Sequence, residues 1–240
     1  MLTLSYNGSA YHGWQIQPNA LTVQEAFENA LFKLLGKPVK VIACSRTDTG
    51  VHAREFCCHL DIEENIPHSA FLKGLNALLP PDIAVTDVKD VPSDFHARYN
   101  CKGKTYVYRI LNSNKKDAFL SPFTWQIERQ LDIEKMNEFC KNLIGTHDFF
   151  AFSASGRTVD DTVRTITDCF VKKEGDIISL SVTGNGFLYN MVRIIVGTAV
   201  DVSDGKLPAD IPFTVFETKK RESVGMTAPA QGLILEKVYY

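Results

Sequence analysis

The run Cys44-Ser45-Arg46-Thr47-Asp48-Thr49-Gly50-Val51-His52-Ala53 gathers a carboxylate, a guanidinium, hydroxyls and a glycine between two apolar stretches. Loops held on a rigid sheet are where catalytic groups are usually presented. A positioned, ionised carboxylate can serve as general base, metal ligand or covalent nucleophile. Arg46 stands two residues before Asp48, and a nearby cation favours the ionised carboxyl. A plainer reading is open beside it, in which Asp48 closes an Asx turn ahead of Gly50, since Asp and Gly are common turn residues. His52 lacks a Ser or Cys at triad-like spacing and reads as structural. His12, His59, His68, His96 and His147 are scattered and form no metal-ligand spacing,. The patches Phe95-His96-Ala97-Arg98 and Gly145-Thr146-His147-Asp148-Phe149 could line a site, although packing accounts for them as well. Arg193 lies among Val192, Ile194, Ile195 and Val196. A buried unpaired guanidinium is costly, so an acidic partner is expected for it.

Elements to position these groups can be read from periodicity. A strand is predicted at about 2–6, followed by a Gly/Pro/Asn-rich loop. Thr22-Val23-Gln24-Glu25 has the form of a capping box. Apolar residues at Val23, Ala26, Phe27, Ala30, Leu31, Leu34 and Leu35 mark an amphipathic helix,. Gly36 and Pro38 end it. Strands are predicted at 39–43 and about 55–62, the loop at 45–53 between them, then a helix at 68–79 and a strand at 83–89. Cys57 and Cys58, adjacent in a strand, would point to opposite faces. This β-α-β-loop-β-α-β order is an α+β, ferredoxin-like pattern.

The remainder repeats that layout loosely, without a residue-level repeat. Lys104 to Leu111 alternates, placing Lys104, Tyr106, Tyr108 and Ile110 on one strand face. A helix at 133–144 is capped by Asp132 and ended by Gly145. Strands at 163–173 and 176–183 flank a Glu174-Gly175 hairpin turn. A helix at 187–200, a short helix at 212–221 and a strand at 233–239 complete the chain. Two α+β halves are expected, 1–97 and 98–240.

Composition bounds the class. Of 240 residues, 45% are apolar and 22% charged, as in ordinary globular proteins. No apolar run approaches the roughly 20 residues that span a bilayer, and the start has no signal-peptide pattern; a cytoplasmic protein without membrane contact is expected. The six cysteines form no C-x-x-C pair and read as buried thiols rather than a zinc site. Net charge is −2, yet charge is segregated: 59–94 holds seven acidic and two basic residues, and 98–129 seven basic and two acidic. One part of the surface could therefore attract phosphates while the whole stays acidic.

In order, Tyr6-Asn7-Gly8, Gly13-Trp14-Gln15-Ile16-Gln17, Thr22-Val23-Gln24, Arg46 to Ala53, Phe95 to Arg98, Lys104-Thr105-Tyr106-Val107-Tyr108, Gly145 to Phe149, Asn185 to Arg193 and Ala228-Pro229-Ala230-Gln231-Gly232-Leu233 resemble the motifs of the tRNA pseudouridine synthase A family. Each motif is modest; the ordered set covers nearly the whole chain. Ser45 stands where the family usually has Gly, Thr49 where it has Ala, and Arg54-Glu55-Phe56 differs from the usual Gly-Gln pattern. These departures bear on the loop's conformation and leave Asp48 in place.

The resemblance implies the pseudouridine synthase fold: two ferredoxin-like α/β halves sharing a largely antiparallel central sheet, with the active-site cleft between them. The first half would carry the catalytic Asp loop, and the second the uracil-stacking Tyr and the Asp-pairing Arg. It implies isomerisation of uridine to pseudouridine at positions 38–40 of the tRNA anticodon stem-loop, on a base flipped from its stack. Asp48 would be the nucleophile, attacking C6 of uracil or C1′ of ribose. Tyr106 would stack on the uracil and Arg193 would pair with Asp48. Arg46 would help displace the base or hold a phosphate. Leu233 and Leu235 would pack beneath the base, if they are not simply core strand residues. No metal or cofactor is implied, tRNA is the partner, and a homodimer is implied. The alternatives are a synthase acting on another RNA, a non-catalytic tRNA-binding module, and an aspartate-nucleophile hydrolase, which would normally need a metal and further carboxylates.

Overall fold

The first long helix begins where the sequence can satisfy its own orphan N–H groups. Thr22 is extended, and its hydroxyl accepts a hydrogen bond from the Glu25 N–H at 3.3 Å,. Gly36 ends the helix in the left-handed region at φ +71°, where a residue without Cβ meets no penalty. Between them α1 (Val23–Leu35) buries Val23, Phe27, Ala30 and Leu31. Asp132 caps a later helix in the same way, its carboxylate accepting from the Lys135 N–H at 3.1 Å.

The computed structural model describes residues 1–63, 65–156 and 160–240; Glu64, one of the acidic residues of 59–94, lies outside them. The elements are β1 (Leu2–Tyr6), α1, β2 (Ile42–Ala43), β3 (His52–His59), α2 (His68–Leu78), β4 (Ile83–Val88), β5 (Gly103–Leu111), β6 (Trp125–Gln126), α3 (Ile133–Lys141), β7 (Gly145–Asp148), β8 (Val163–Glu174), β9 (Ile177–Gly184), α4 (Met191–Ser203), α5 (Ile211–Thr218) and β10 (Leu233–Tyr239). The protein is α+β, as its pattern predicts.

The chain forms two compact units, Met1–Lys102 with Ile234–Tyr240, and Gly103–Leu233. In the first, β1 lies between β3 and β4, antiparallel to both. On its other side β3 takes β2 antiparallel and β10 parallel, with Ile234 opposite His52 and Leu235 opposite Ala53. Leu4, Phe27, Leu31, Phe56 and Leu75 are fully buried there. In the second unit the antiparallel order is β5-β9-β8-β7, with β6 added parallel to β5. Helices α3 and α4 pack together, and Met136, Phe139, Ile194, Ile195 and Ala199 are sealed from water. Each such large apolar side chain contributes roughly 1.5–3 kcal/mol of burial.

Several boundaries move. The predicted strand at 39–43 contracts to Ile42–Ala43, and the one at 55–62 becomes His52–His59. The second starts early because Ala53 pairs with Tyr6 and with Leu235. Cys57 and Cys58 do alternate, and both are buried. Helix α4 starts at Met191 rather than 187 because Asn190 takes a left-handed conformation at φ 60°. Asn185 just before it remains bonded to Thr165 of β8. In the hairpin, Glu174 ends β8 opposite Ile177, and Gly175 at φ +58° opens the two-residue turn, as type II′ geometry requires.

Candidate active site

Asp48 begins a tight turn in the first unit. The Val51 N–H donates to the Asp48 carbonyl at 3.1 Å, and Gly50, third in the turn, has φ +77°, the left-handed conformation that a type II turn asks of that position. The turn is stitched to the segment after β1. The Trp14 N–H donates to the Thr47 carbonyl at 3.1 Å and the Gly50 N–H to the Tyr11 carbonyl at 3.2 Å. Gly13 passes so close, at φ +82°, that a Cβ there would lie 2.4 Å from the Thr47 oxygen. Inside, the hydroxyls of Tyr6 and Thr47 share a buried hydrogen bond of 2.8 Å. Asp48 is thereby left half-buried, with Arg46 and Thr49 exposed on either side. The turn is closed by the backbone carbonyl of Asp48 rather than by its carboxylate.

Around this loop the first unit is closely packed. His52 is 3% exposed and its Nδ1 accepts the Gly8 N–H at 3.0 Å, so the residue is structural, as its sequence context suggests. The Tyr11 hydroxyl donates to Asp82 at 2.6 Å; burial, then that bond, raise its phenol well above the usual range,. Trp14 stacks on Phe56 with ring centroids 4.1 Å apart. Leu235 is fully buried on β10, paired with Ala53 at the start of β3.

Tyr106 and Arg193 belong to the second unit. Tyr106 is 6% exposed and sits opposite Val182; its ring meets the ring of Phe187 edge to face at 5.2 Å. Lys104, Tyr108 and Ile110 share its buried strand face. Arg193, on the first turn of α4, donates from Nε to the Ala228 carbonyl at 2.7 Å and from Nη1 to the Asn190 side-chain oxygen at 2.9 Å. Both of these acceptors are neutral. The Tyr108 hydroxyl donates to the Pro229 carbonyl at 2.7 Å. Burial holds that phenol well above its usual range, and Arg193 opposes the effect. A Cβ on Gly232 would lie 2.6 Å from the Tyr108 ring. The segment Ala228 to Gly232 is therefore moulded onto Tyr108 and Arg193 together.

The two His-containing patches are packing features. His96 Nδ1 receives the N–H groups of Arg98 and Tyr99, each at 3.2 Å, and His59 receives that of Ala97 at 3.1 Å. His147 stacks on Phe216 at 4.3 Å, and Asp148 takes the Phe150 N–H at 3.1 Å and pairs with Lys219 at 2.6 Å. Among the described residues no three His, Cys, Asp or Glu side chains gather as metal ligands would.

Asp48 thus stands on a braced turn in the first unit, and Tyr106 and Arg193 belong to the second. The tRNA pseudouridine synthase family model matches residues 3–100 and 139–240. The chain belongs to this family. It is 46% identical over 239 residues to tRNA pseudouridine synthase A of Acetivibrio thermocellus, covering 100% of this chain and 98% of the relative. The enzymes of the same name from Ruminiclostridium cellulolyticum and a Thermoanaerobacter species are 47% and 45% identical, with the same coverage. A tRNA pseudouridine synthase is an isomerase, and its partner is tRNA.

Within this synthase the departures are mild in structure. Thr49 is exposed, and Ser45 Oγ donates to the neighbouring Arg46 carbonyl at 3.3 Å. Residue spacing did not reveal the groups that aim the site: Tyr6, Tyr11 and Gly13 behind Asp48, and Asn190 and Ala228 around Arg193. The signal was present only as the family's motifs on either side, because all of these contacts but that of Asn190 join segments distant in the chain.

Proposed function

We propose that this tRNA pseudouridine synthase acts at positions 38–40 of the anticodon stem-loop, with Asp48 as its nucleophile. The observation that carries the reading is the braced Asp48 turn, which presents a half-buried carboxylate beside the exposed Arg46. The reaction breaks N1–C1′ and forms C5–C1′; the hydrogen on C5 leaves as a proton and N1 gains one. Covalent attack by Asp48 on C6 or on C1′ would allow the base to be detached, turned and rejoined. The target uridine must first leave its stack, at a cost of a few kcal/mol. In this reading the half at 1–97 supplies the catalytic loop, and the half at 98–240 supplies Tyr106 to stack on uracil and Arg193 to hold Asp48 ionised. Arg46 takes the place of the displaced base or grips a phosphate, and Leu235 supports the pocket from behind. The enzyme works as a cytoplasmic homodimer. Among the described residues no helix is long and apolar enough to cross a membrane.

The test is tritium release from tRNA carrying C5-tritiated uridine, for the native protein and Asp48→Asn. Release by the native enzyme alone, with tRNA binding retained by the variant, is the expected outcome. Equal release by both would remove Asp48 from its role. Release only from substrates lacking uridine at 38–40 would move the target elsewhere.

A further inference from the structure

Arg193 is aimed by a segment that a second arginine closes. Residues 225–229 have no regular secondary structure, so no strand ladder fixes them. One side of the segment lies along α4. The Gly225 N–H donates to Thr198 Oγ1 at 3.0 Å, and that hydroxyl donates to the Ile194 carbonyl at 2.7 Å. The backbone at Met226 touches Gly197, where a Cβ would fall 1.9 Å from the Met226 oxygen. The Ala228 N–H donates to the Arg193 carbonyl at 3.1 Å, and the Ala228 carbonyl takes the Arg193 Nε–H at 2.7 Å. The other side is spanned by Arg221. Its Nη1 donates to the Gly225 carbonyl at 2.9 Å and to the Val224 carbonyl at 3.5 Å, and Nη2 reaches Thr227 Oγ1 at 3.4 Å.

The guanidinium fork of Arg221 thus holds three acceptors of one short segment, ending one residue before Ala228. A Lys could not span them, because an ammonium is a point charge rather than a planar fork. Arg221 is half-buried, and burial alone lowers its pKa. These acceptors are two carbonyls and a hydroxyl, all neutral, so the fork shapes backbone rather than neutralising charge.

We propose that Arg221 is a positioning residue for the isomerisation, acting through the Ala228 carbonyl on the Arg193 guanidinium. The inference rests on the reading of Arg193 as the cation that holds Asp48. If Arg221 is removed, the segment 224–227 relaxes, the Ala228 carbonyl drifts and the plane of Arg193 is no longer set. Displacements on the order of 1 Å at a reacting constellation cost up to about 100-fold in rate.

The test joins a spectrum to a rate. In protein labelled with nitrogen-15, the Arg193 Nε–H resonance is assigned by its loss in Arg193→Lys. In Arg221→Ala its exchange with water should accelerate about tenfold or more. Single-turnover tritium release should fall about tenfold while tRNA Kd stays within about twofold. In an Arg193→Lys background the same substitution should cost nothing further, because coupled residues are not additive. An unchanged Arg193 resonance and rate in Arg221→Ala, or an equal loss in both backgrounds, would overturn the proposal. A native rate in Arg193→Lys would instead sink the reading of Arg193, and the proposal with it. A slow Arg193→Lys beside a native-like Arg221→Ala would sink the proposal alone. Should Arg221→Ala fail to fold, Thr227→Val removes a single acceptor. It should show a loss of about threefold, again absent with Lys at 193, and an equal loss in both backgrounds would overturn the idea.

Discussion

Asp48 owes its place to side chains buried behind its turn. The Tyr6 hydroxyl lies 2.8 Å from Thr47 Oγ1 in a buried pair, and Thr47, at 7% exposed, is the residue immediately before Asp48. Tyr6→Phe leaves the Thr47 hydroxyl without this partner in an apolar setting, which costs about 1–3 kcal/mol for an orphaned buried polar group. Urea unfolding of Tyr6→Phe should show a loss of that order, and the single-turnover rate should fall several-fold as the loop gains freedom. A variant with native stability and rate would show that the backbone bonds from Trp14 and Gly50 suffice. Asp48 itself was legible in sequence as a carboxylate in a Gly-containing loop between two strands. Its supports were not, because Tyr6, Tyr11 and Gly13 lie some forty residues upstream and local spacing carries no information about that distance. Arg193 was legible as an arginine in an apolar helix in want of a partner. Asn190 and Ala228, which hold it within its unit, were not, the second being far along the chain.

Elements were readable where their ends are set by neighbours in sequence. Thr22, Gly36 and Asp132 each fix a helix end with atoms three or four residues away. The short strands β6 and β7 escaped notice for the opposite reason: Trp125 is a strand residue only because Ile110 lies beside it, and Thr146 because Thr165 does. The end of α4 is a further case. Asp204 follows its last residue, where a negative charge opposes the helix dipole. Arg129 compensates with two bonds of 2.7 Å to the carboxylate, and Lys206 adds an ion pair at 2.9 Å. The Arg129 hydrogen bonds, more than any other influence, lower the Asp204 pKa from 3.8 to about 2. A carboxyl depressed in the folded state contributes stability that is fully present above its unfolded pKa and disappears as pH falls through the folded one. The window here is about pH 4 down to about 2. Asp204→Asn should therefore lower stability by about 1–2 kcal/mol at neutral pH and flatten the decline in melting temperature between pH 4 and pH 2. An unchanged acid profile in the variant would show that the Arg129 pairing contributes nothing net.

On the scale of the whole molecule, a net charge of −2 sits awkwardly with a tRNA partner until the basic residues are sorted by what the fold does with them. The stretch 98–129 holds seven. Lys104 is withdrawn to 7% exposure and Arg129 is engaged by Asp204. Arg98, Lys102, Lys115 and Lys116 face solvent, and the backbone around the last two is pinned: the Lys115 N–H meets Ser113 Oγ at 3.3 Å, and Asp117 accepts the N–H groups of Phe119 and Leu120 at 2.8 and 3.0 Å. Pinned lysines lose less entropy when they meet a phosphate than lysines on a mobile loop would. Charge reversal at Lys102, Lys115 and Lys116 together should weaken tRNA binding strongly at low salt. It should also make the dependence of log K on log salt shallower by about two to three, close to one for each phosphate no longer neutralised. The rate of tritium release at saturating tRNA should stay near native, since none of the three is placed beside Asp48 in this reading. Native affinity with a native salt slope in the triple variant would move the tRNA-binding surface away from this stretch, leaving the role of Asp48 to stand or fall on its own test.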